Sequence, residues 1–217
     1  MPGRLRILLV RHGESTWNAD GRWQGQADPP LTERGREQAR HAATKLPPPD
    51  RVVTSDLQRA RETAALLVAG LDAGPVTVDP ALRERDAGAF SGLRRTEIHS
   101  RFPGLLPDDP VRAPGTEGDG LLPPPGWEPD ATLAGRAWEG IERATTALDG
   151  AGGRTGLIVT HSGLIYAVEH TLGAARSRIA NLEGRWLHRT DGGGWELGPR
   201  LLLLDPATDE VTRPDTL

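Results

Sequence analysis

Arg11, His12 and Gly13 follow an apolar run, Ile7 to Val10, with no spacer between them. A second apolar run, Leu157 to Val159, leads through Thr160 to His161, Ser162 and Gly163. An imidazole can act as a nucleophile or carry a proton, and a guanidinium offers paired donors to anionic oxygens. One histidine after a strand is most simply a hydrogen-bonded structural residue. Two of them delivered by two buried strands, the first fused to an arginine, make a reactive pair. Continuous apolar runs read as parallel strands covered on both faces, and ligands bind at the carboxyl ends of such strands. Gly13 lets the backbone turn sharply at that edge.

The remaining elements must bring further groups to the same edge. Residues 16–30 have loop composition and read as a long surface loop, with Trp17 and Trp23 as anchors. Thr32 suits the N-cap of a helix reaching Leu46, stopped by Pro47, Pro48 and Pro49. Val52 to Thr54 reads as a strand, and Ser55 with Gln58 has the spacing of a capping box opening a helix over 56–69. Arg59 falls in its first turn; in isolation it reads as a surface ion-pair residue. Val76 to Val78 reads as a third strand, followed by Glu84, by Gly88 and Gly92, and by a short helix over 93–102. Residues 103–130 are dense in Pro and Gly and read as a loop or lid insertion.

Asp130 suits the cap of a helix to Leu148, with Leu133, Ala137, Trp138 and Ile141 on one face. A helix over 162–172 points its positive end at the histidine edge. Residues 185–189 and 195–204 flank Asp191-Gly192-Gly193-Gly194 as a hairpin, and the last dozen residues read as a frayed tail. The alternation of strands and helices predicts an α/β fold, a three-layer α/β/α domain with a mainly parallel central sheet over 1–204, with 205–217 as the tail.

Arg11-His12-Gly13-Glu14-Ser15-Thr16-Trp17-Asn18 resembles the signature of the histidine phosphatase superfamily, which includes cofactor-dependent phosphoglycerate mutases and broad-specificity phosphatases. The likeness continues in order through Gln24-Gly25, Asp28, Leu31-Thr32 and Gly35, then Ser55 to Ala60. It runs on through Leu82-Arg83-Glu84 with Gly88 and Gly92, and closes at Thr160 to Gly163. The resemblance implies a phosphoglycerate mutase-like fold and phosphoryl chemistry that needs no metal and no cofactor. His12 would form a phosphohistidine, and Glu84 would act as general acid and base. Arg11, Arg59 and, if protonated, His161 would hold the equatorial oxygens. Asp86 is a rival acid, but only Glu84 has the family's spacing to the two glycines. Cationic neighbours would keep His12 unprotonated, with a carbonyl of the Gly13 turn orienting its ring. Asn18, Gln24, Gly25, Ser162 and Arg95 are the substrate-binding candidates.

Hydrolysis of a small-molecule phosphomonoester is the expected activity. A mutase is the first alternative, and it needs more cations, which Arg85, Arg94 and Arg95 partly supply. Against it, Asp108, Asp109, Glu117, Asp119 and Glu128 outnumber Arg112 in 103–130, and the adjacent arginine pair of mutases is missing beyond Arg95. Gly126-Trp127-Glu128 stands where phosphatase members carry Gly-Gly-Glu. A catalytically silent phospho-ligand-binding protein is the second alternative, disfavoured because His12, Glu84, Arg11, Arg59 and His161 are all kept.

The 217 residues carry a net charge of −4, so no global basic field attracts nucleic acid. Lys45 is the only lysine, which makes nearly all positive charge guanidinium. The absence of cysteine excludes disulfides and thiolate chemistry. His41, His99, His170 and His188 are scattered, with no His-x-x-x-His spacing for a metal. No segment has the length and apolarity of a signal peptide or membrane span, so a cytoplasmic location is expected. The arginine-rich surface and tryptophans are compatible with a homodimer.

Overall fold

The structure, a computed structural model, describes residues 4–107 and 122–212. A six-stranded sheet lies at its centre: β1 (Arg6–Arg11), β2 (Arg51–Thr54), β3 (Val76–Val78), β4 (Thr155–Thr160), β5 (Glu183–Arg189) and β6 (Trp195–Leu202). The order is β3-β2-β4-β1-β5-β6. The first four strands run parallel, and β5 runs antiparallel to both its neighbours, β1 and β6. Successive residues of a strand face opposite sides, and β1 shows the consequence. Ile7 and Leu9 pack with α5 (Asp130–Gly150) and α6 (Ser162–Thr171). Leu8 and Val10 pack with α2 (Glu33–Ala43) and α3 (Gln58–Leu67). Three layers, helices over both faces, follow directly. Among the described residues no helix is long and apolar enough to cross a membrane.

Several boundaries differ from the sequence-based expectation, each for a tertiary reason. The stretch 16–30 is not a surface loop. It opens with a helical turn, α1 (Thr16–Ala19), capped by Ser15, and buries Trp23, Gln24 and Gly25. Trp23 packs edge-on to Phe90 in a third apolar cluster that also holds Ile98, from α4 (Arg95–Arg101), and Trp127. Thr32 caps α2 as expected, but the helix ends at Ala43, and Thr44 and Lys45 close it with tighter turns. The Ser55–Gln58 capping box does not form. Ser55 accepts from the Leu57 N–H, and Asp28, from the preceding loop, accepts from the Gln58 N–H at 2.6 Å, so α3 starts two residues late. Asp130 is the first helical residue of α5, not its cap, and pairs with Arg85.

The tail is not frayed through residue 212: Leu203 and Leu204 are buried, the Gln38 side chain donates to the Glu210 carbonyl, and Asn181 N–H donates to that of Thr212. Residues 213–217 lie outside the described set. So do 108–121, which include Asp108, Asp109, Arg112, Glu117 and Asp119 of the acidic loop.

Gly13 and Gly35 let the start of α2 press against the end of β1. A Cβ on Gly13 would stand 2.7 Å from the Gly35 carbonyl oxygen, and one on Gly35 would run into the Glu14 carbonyl. Backbone on both sides leaves nothing flexible to give way. Gly35→Ala is therefore expected to destabilise the fold by roughly 1–3 kcal/mol, read as a lower urea midpoint at unchanged slope.

Candidate active site

Adjacent strands deliver the two histidines. β1 and β4 are paired so that Arg11 faces Thr160, which makes His12 and His161 the next residues of neighbouring strands. The His12 N–H donates to the Thr160 carbonyl at 3.0 Å. Their ring centres lie 5.2 Å apart, edge to face, and both side chains are buried.

Two hydrogen bonds fix the state of His12. Nδ1 donates to the Gly13 carbonyl at 2.6 Å, and Arg59 Nε donates to Nε2 at 3.2 Å. Nε2 therefore presents a lone pair towards the arginine. The Gly13 carbonyl is held in turn, since the Gly13 N–H donates to Thr63 Oγ1 on α3. Arg59, in the first turn of α3, donates from one terminal nitrogen to the Ala27 carbonyl (2.7 Å) and from the other to that of Gly25 (2.9 Å), which leaves two of its five N–H groups uncommitted by these bonds. Gly25 has φ +52, and a Cβ there would meet the Ala87 backbone. Arg11 gives one donor to the Ile179 carbonyl at 2.7 Å, and among the described residues neither its Nε nor either ring nitrogen of His161 has a hydrogen-bond partner.

Glu84 enters from the segment after β3. One carboxylate oxygen accepts the Arg85 N–H (2.7 Å), the other the Gly163 N–H (3.1 Å) at the start of α6, where Ser162 Oγ also approaches at 3.4 Å. That places Glu84 beside the residues directly after His161, and its charge acts on both Arg11 and Arg59.

Burial is the largest influence on every cation here. It lowers Arg59 to about 10 and also lowers Arg11. His12 is held well below 6.5 by burial, then by Arg59 and Arg11; His161 by burial, then Arg59 and His12. That direction favours the neutral ring of His161 near neutral pH. Below pH 6.5 the unfolded chain protonates both imidazoles while the folded chain does not. Stability is thus unaffected above 6.5 and falls as pH drops through it, by at most about 1.4 kcal/mol per pH unit for each histidine. Urea midpoints followed from about pH 8 to about pH 5 should show this slope, and a His12→Asn/His161→Asn variant should flatten it.

The other candidates separate. Asn18 accepts from the Ser15 N–H and the Asn181 amide, and Gln24 accepts from Ser15 Oγ, so both brace the loop beside His12. Arg95 instead donates to the Pro107 carbonyl, and none of the contacts above ties it to the histidine cluster.

Two supports escape sequence reading. Asn181, fully buried, donates to the His12 carbonyl at 2.8 Å and accepts from Thr212 Oγ1 at 2.9 Å. Arg136 on α5 donates to the carbonyls of Ala81, Arg83 and Glu84 and forms a two-pronged pair with Glu128. It thereby pins the segment that presents Glu84. Only Gly126-Trp127-Glu128 hinted at this, through its acidic residue.

Known proteins resemble this chain in sequence and fold. The chain is 31% identical over 208 residues to phosphoglycerate mutase-like protein 4 of Arabidopsis thaliana, covering 88% of this chain and 82% of that one. A glucosyl-3-phosphoglycerate phosphatase of Mycolicibacterium vanbaalenii is 42% identical over 102 residues, 46% of this chain and 44% of its own. A probable phosphoglycerate mutase of an Enterobacter species is 38% identical over 120 residues, 48% of this chain and 54% of its own, so such matches span about half of those relatives. Among solved structures, mycobacterial glucosyl-3-phosphoglycerate phosphatase with VO3 superposes with a TM-score of 0.73 at 29% identity, covering 90% of this chain and 98% of that one. Residues 7–193 match the histidine phosphatase superfamily (branch 1), and the chain belongs to that superfamily.

Proposed function

We propose that this chain hydrolyses phosphomonoesters through a phosphohistidine on His12. The observation that carries the reading is the pair of hydrogen bonds that put the His12 proton on Nδ1 and aim Nε2 at a cluster of buried cations. Nε2 attacks phosphorus as the ester P–O bond breaks, and Glu84 gives a proton to the departing oxygen. Water then attacks the phosphorus of the phosphohistidine, Glu84 takes its proton, and the P–N bond breaks. Arg11, Arg59 and His161 stabilise charge on the equatorial oxygens, which is most of what phosphoryl transfer asks of a protein. The unpartnered Arg11 Nε and His161 nitrogens support this, because buried polar groups cost free energy until something bonds them. Asn18, Gln24, Gly25 and Ser162 hold the loops that frame the phosphoryl group. No metal and no cofactor enters the scheme.

The mutase alternative rests on the relatives named as mutases and would need cations to retain a bisphosphorylated intermediate. Arg95, the residue nominated for that, is engaged with Pro107. Quenching the enzyme during turnover of a labelled phosphoester tests the proposal: label that is acid-labile, base-stable and located on His12 is expected. Inorganic phosphate should accumulate, and 3-phosphoglycerate should not be isomerised. Isomerisation without net phosphate release would transfer the chain to the mutase reading, and no label at all would leave only phospho-ligand binding.

A further inference from the structure

A cavity of about 510 Å³ lies between the first turn of α5 and the later turns of α6, lined by Arg85, Trp127, Asp130, Tyr166, His170 and Arg176 with alanines of both helices. Two residues of its wall, Arg85 and Tyr166, link it to the histidine site. Arg85 is the neighbour of Glu84, and Tyr166 lies four residues past Ser162 on α6, ~6 Å along the helix axis. Tyr166 also accepts the Ile179 N–H at 2.9 Å, and the Ile179 carbonyl is the one that receives Arg11.

The two arginines of the cavity differ in commitment. Arg85 lies over Trp127, donates to the Glu128 carbonyl at 2.6 Å and pairs with Asp130 at 2.6 Å, so its charge is neutralised. Arg176 lies over the Tyr166 ring at 4.5 Å and has neither a carboxylate nor a hydrogen-bond acceptor among the described residues. Burial, the largest influence on it, holds it below the ordinary arginine value. Among the described residues Arg176 is thus a guanidinium without an ion-pair partner on a partly apolar wall, where the charges of Glu84 and Asp130 act on it from farther off.

We infer that this cavity is the leaving-group subsite and that Arg176 selects phosphomonoesters whose alcohol carries a carboxylate. The inference rests on the phosphatase reading above. One free positive charge matches a carboxylate. A second phosphate would bring about two negative charges beside Asp130, leaving one without a counter-charge.

The test compares 3-carboxyphenyl phosphate with its methyl ester, which differ in charge and little else. The wild type should favour the acid by about 10- to 100-fold in kcat/KM, the range of a charge-assisted hydrogen bond. Arg176→Gln should bring that ratio close to one, and Arg176→Lys should restore part of it. Because the ratio is taken within one preparation, partial misfolding of a variant cancels. A wild-type ratio near one, or one that Arg176→Gln leaves unchanged, overturns the inference. If neither ester is turned over, the phosphatase reading fails by itself. Calorimetry with 3-carboxybenzylphosphonate and its methyl ester then decides the subsite alone: tighter binding of the acid sustains it, and equal affinities overturn it.

Discussion

His12→Ala is expected to lower kcat by roughly 10⁴- to 10⁶-fold, the scale on which removing a nucleophile acts. The geometry makes the loss this large because no other group stands in the same place. His161 has a neutral ring 5.2 Å away, and neither of its nitrogens is aimed by a hydrogen bond. The remaining cations stay, so inorganic phosphate should still bind, and a label-trapping assay should return nothing. Circular dichroism and a urea midpoint separate this from unfolding, since a buried ring is removed. Residual turnover within tenfold of wild type would remove His12 from the mechanism.

The second large effect belongs to Glu84. Glu84→Gln keeps the shape and the capacity to accept the Gly163 or Arg85 N–H, and it loses proton transfer. With an alkyl phosphate, kcat should drop about 10²- to 10⁴-fold. With p-nitrophenyl phosphate, whose phenolate leaves with little proton assistance, the first half-reaction should suffer far less, so trapped phosphoenzyme should accumulate. A loss of equal size for both esters, with no accumulation, would mean that Glu84 is structural. Its two N–H partners make that a fair contest.

The parts of this molecule that the sequence shows plainly are those decided by local pattern. The apolar runs ending at His12 and His161, the Thr32 cap and the hairpin around Asp191 to Gly194 all depend on near neighbours, and all are present. The carbonyl that orients His12 was expected in the Gly13 turn and is that of Gly13 itself. What stays hidden is set by distant backbone. Asp28 takes over the capping of α3 from Ser55 because it lies 30 residues away along the chain but next to the helix in space. Arg136 gathers three carbonyls of one segment, Asn181 joins His12 to Thr212, and Arg176 is conspicuous only because it lies over Tyr166 with no carboxylate partner among the described residues. No propensity or spacing marks such residues, since each role exists only once other elements have arrived. The tail misled for the same reason: residues 205–212 have loop composition, yet Glu210 and Thr212 are held by Gln38 and Asn181.

The position of β1 in the sheet has a consequence for how the protein is made. Its neighbours on both sides, β4 and β5, begin at Thr155 and Glu183, so β1 has no sheet partner until well over a hundred further residues have been made. At about 5–20 residues per second that interval is roughly 10–30 s. Throughout it Ile7, Leu8, Leu9 and Val10 are an unpaired apolar segment, and His12 lacks the Thr160 carbonyl that seats it. Synthesis is then a stage at which this protein is exposed to aggregation, and slower translation or more nascent-chain chaperone should raise its yield.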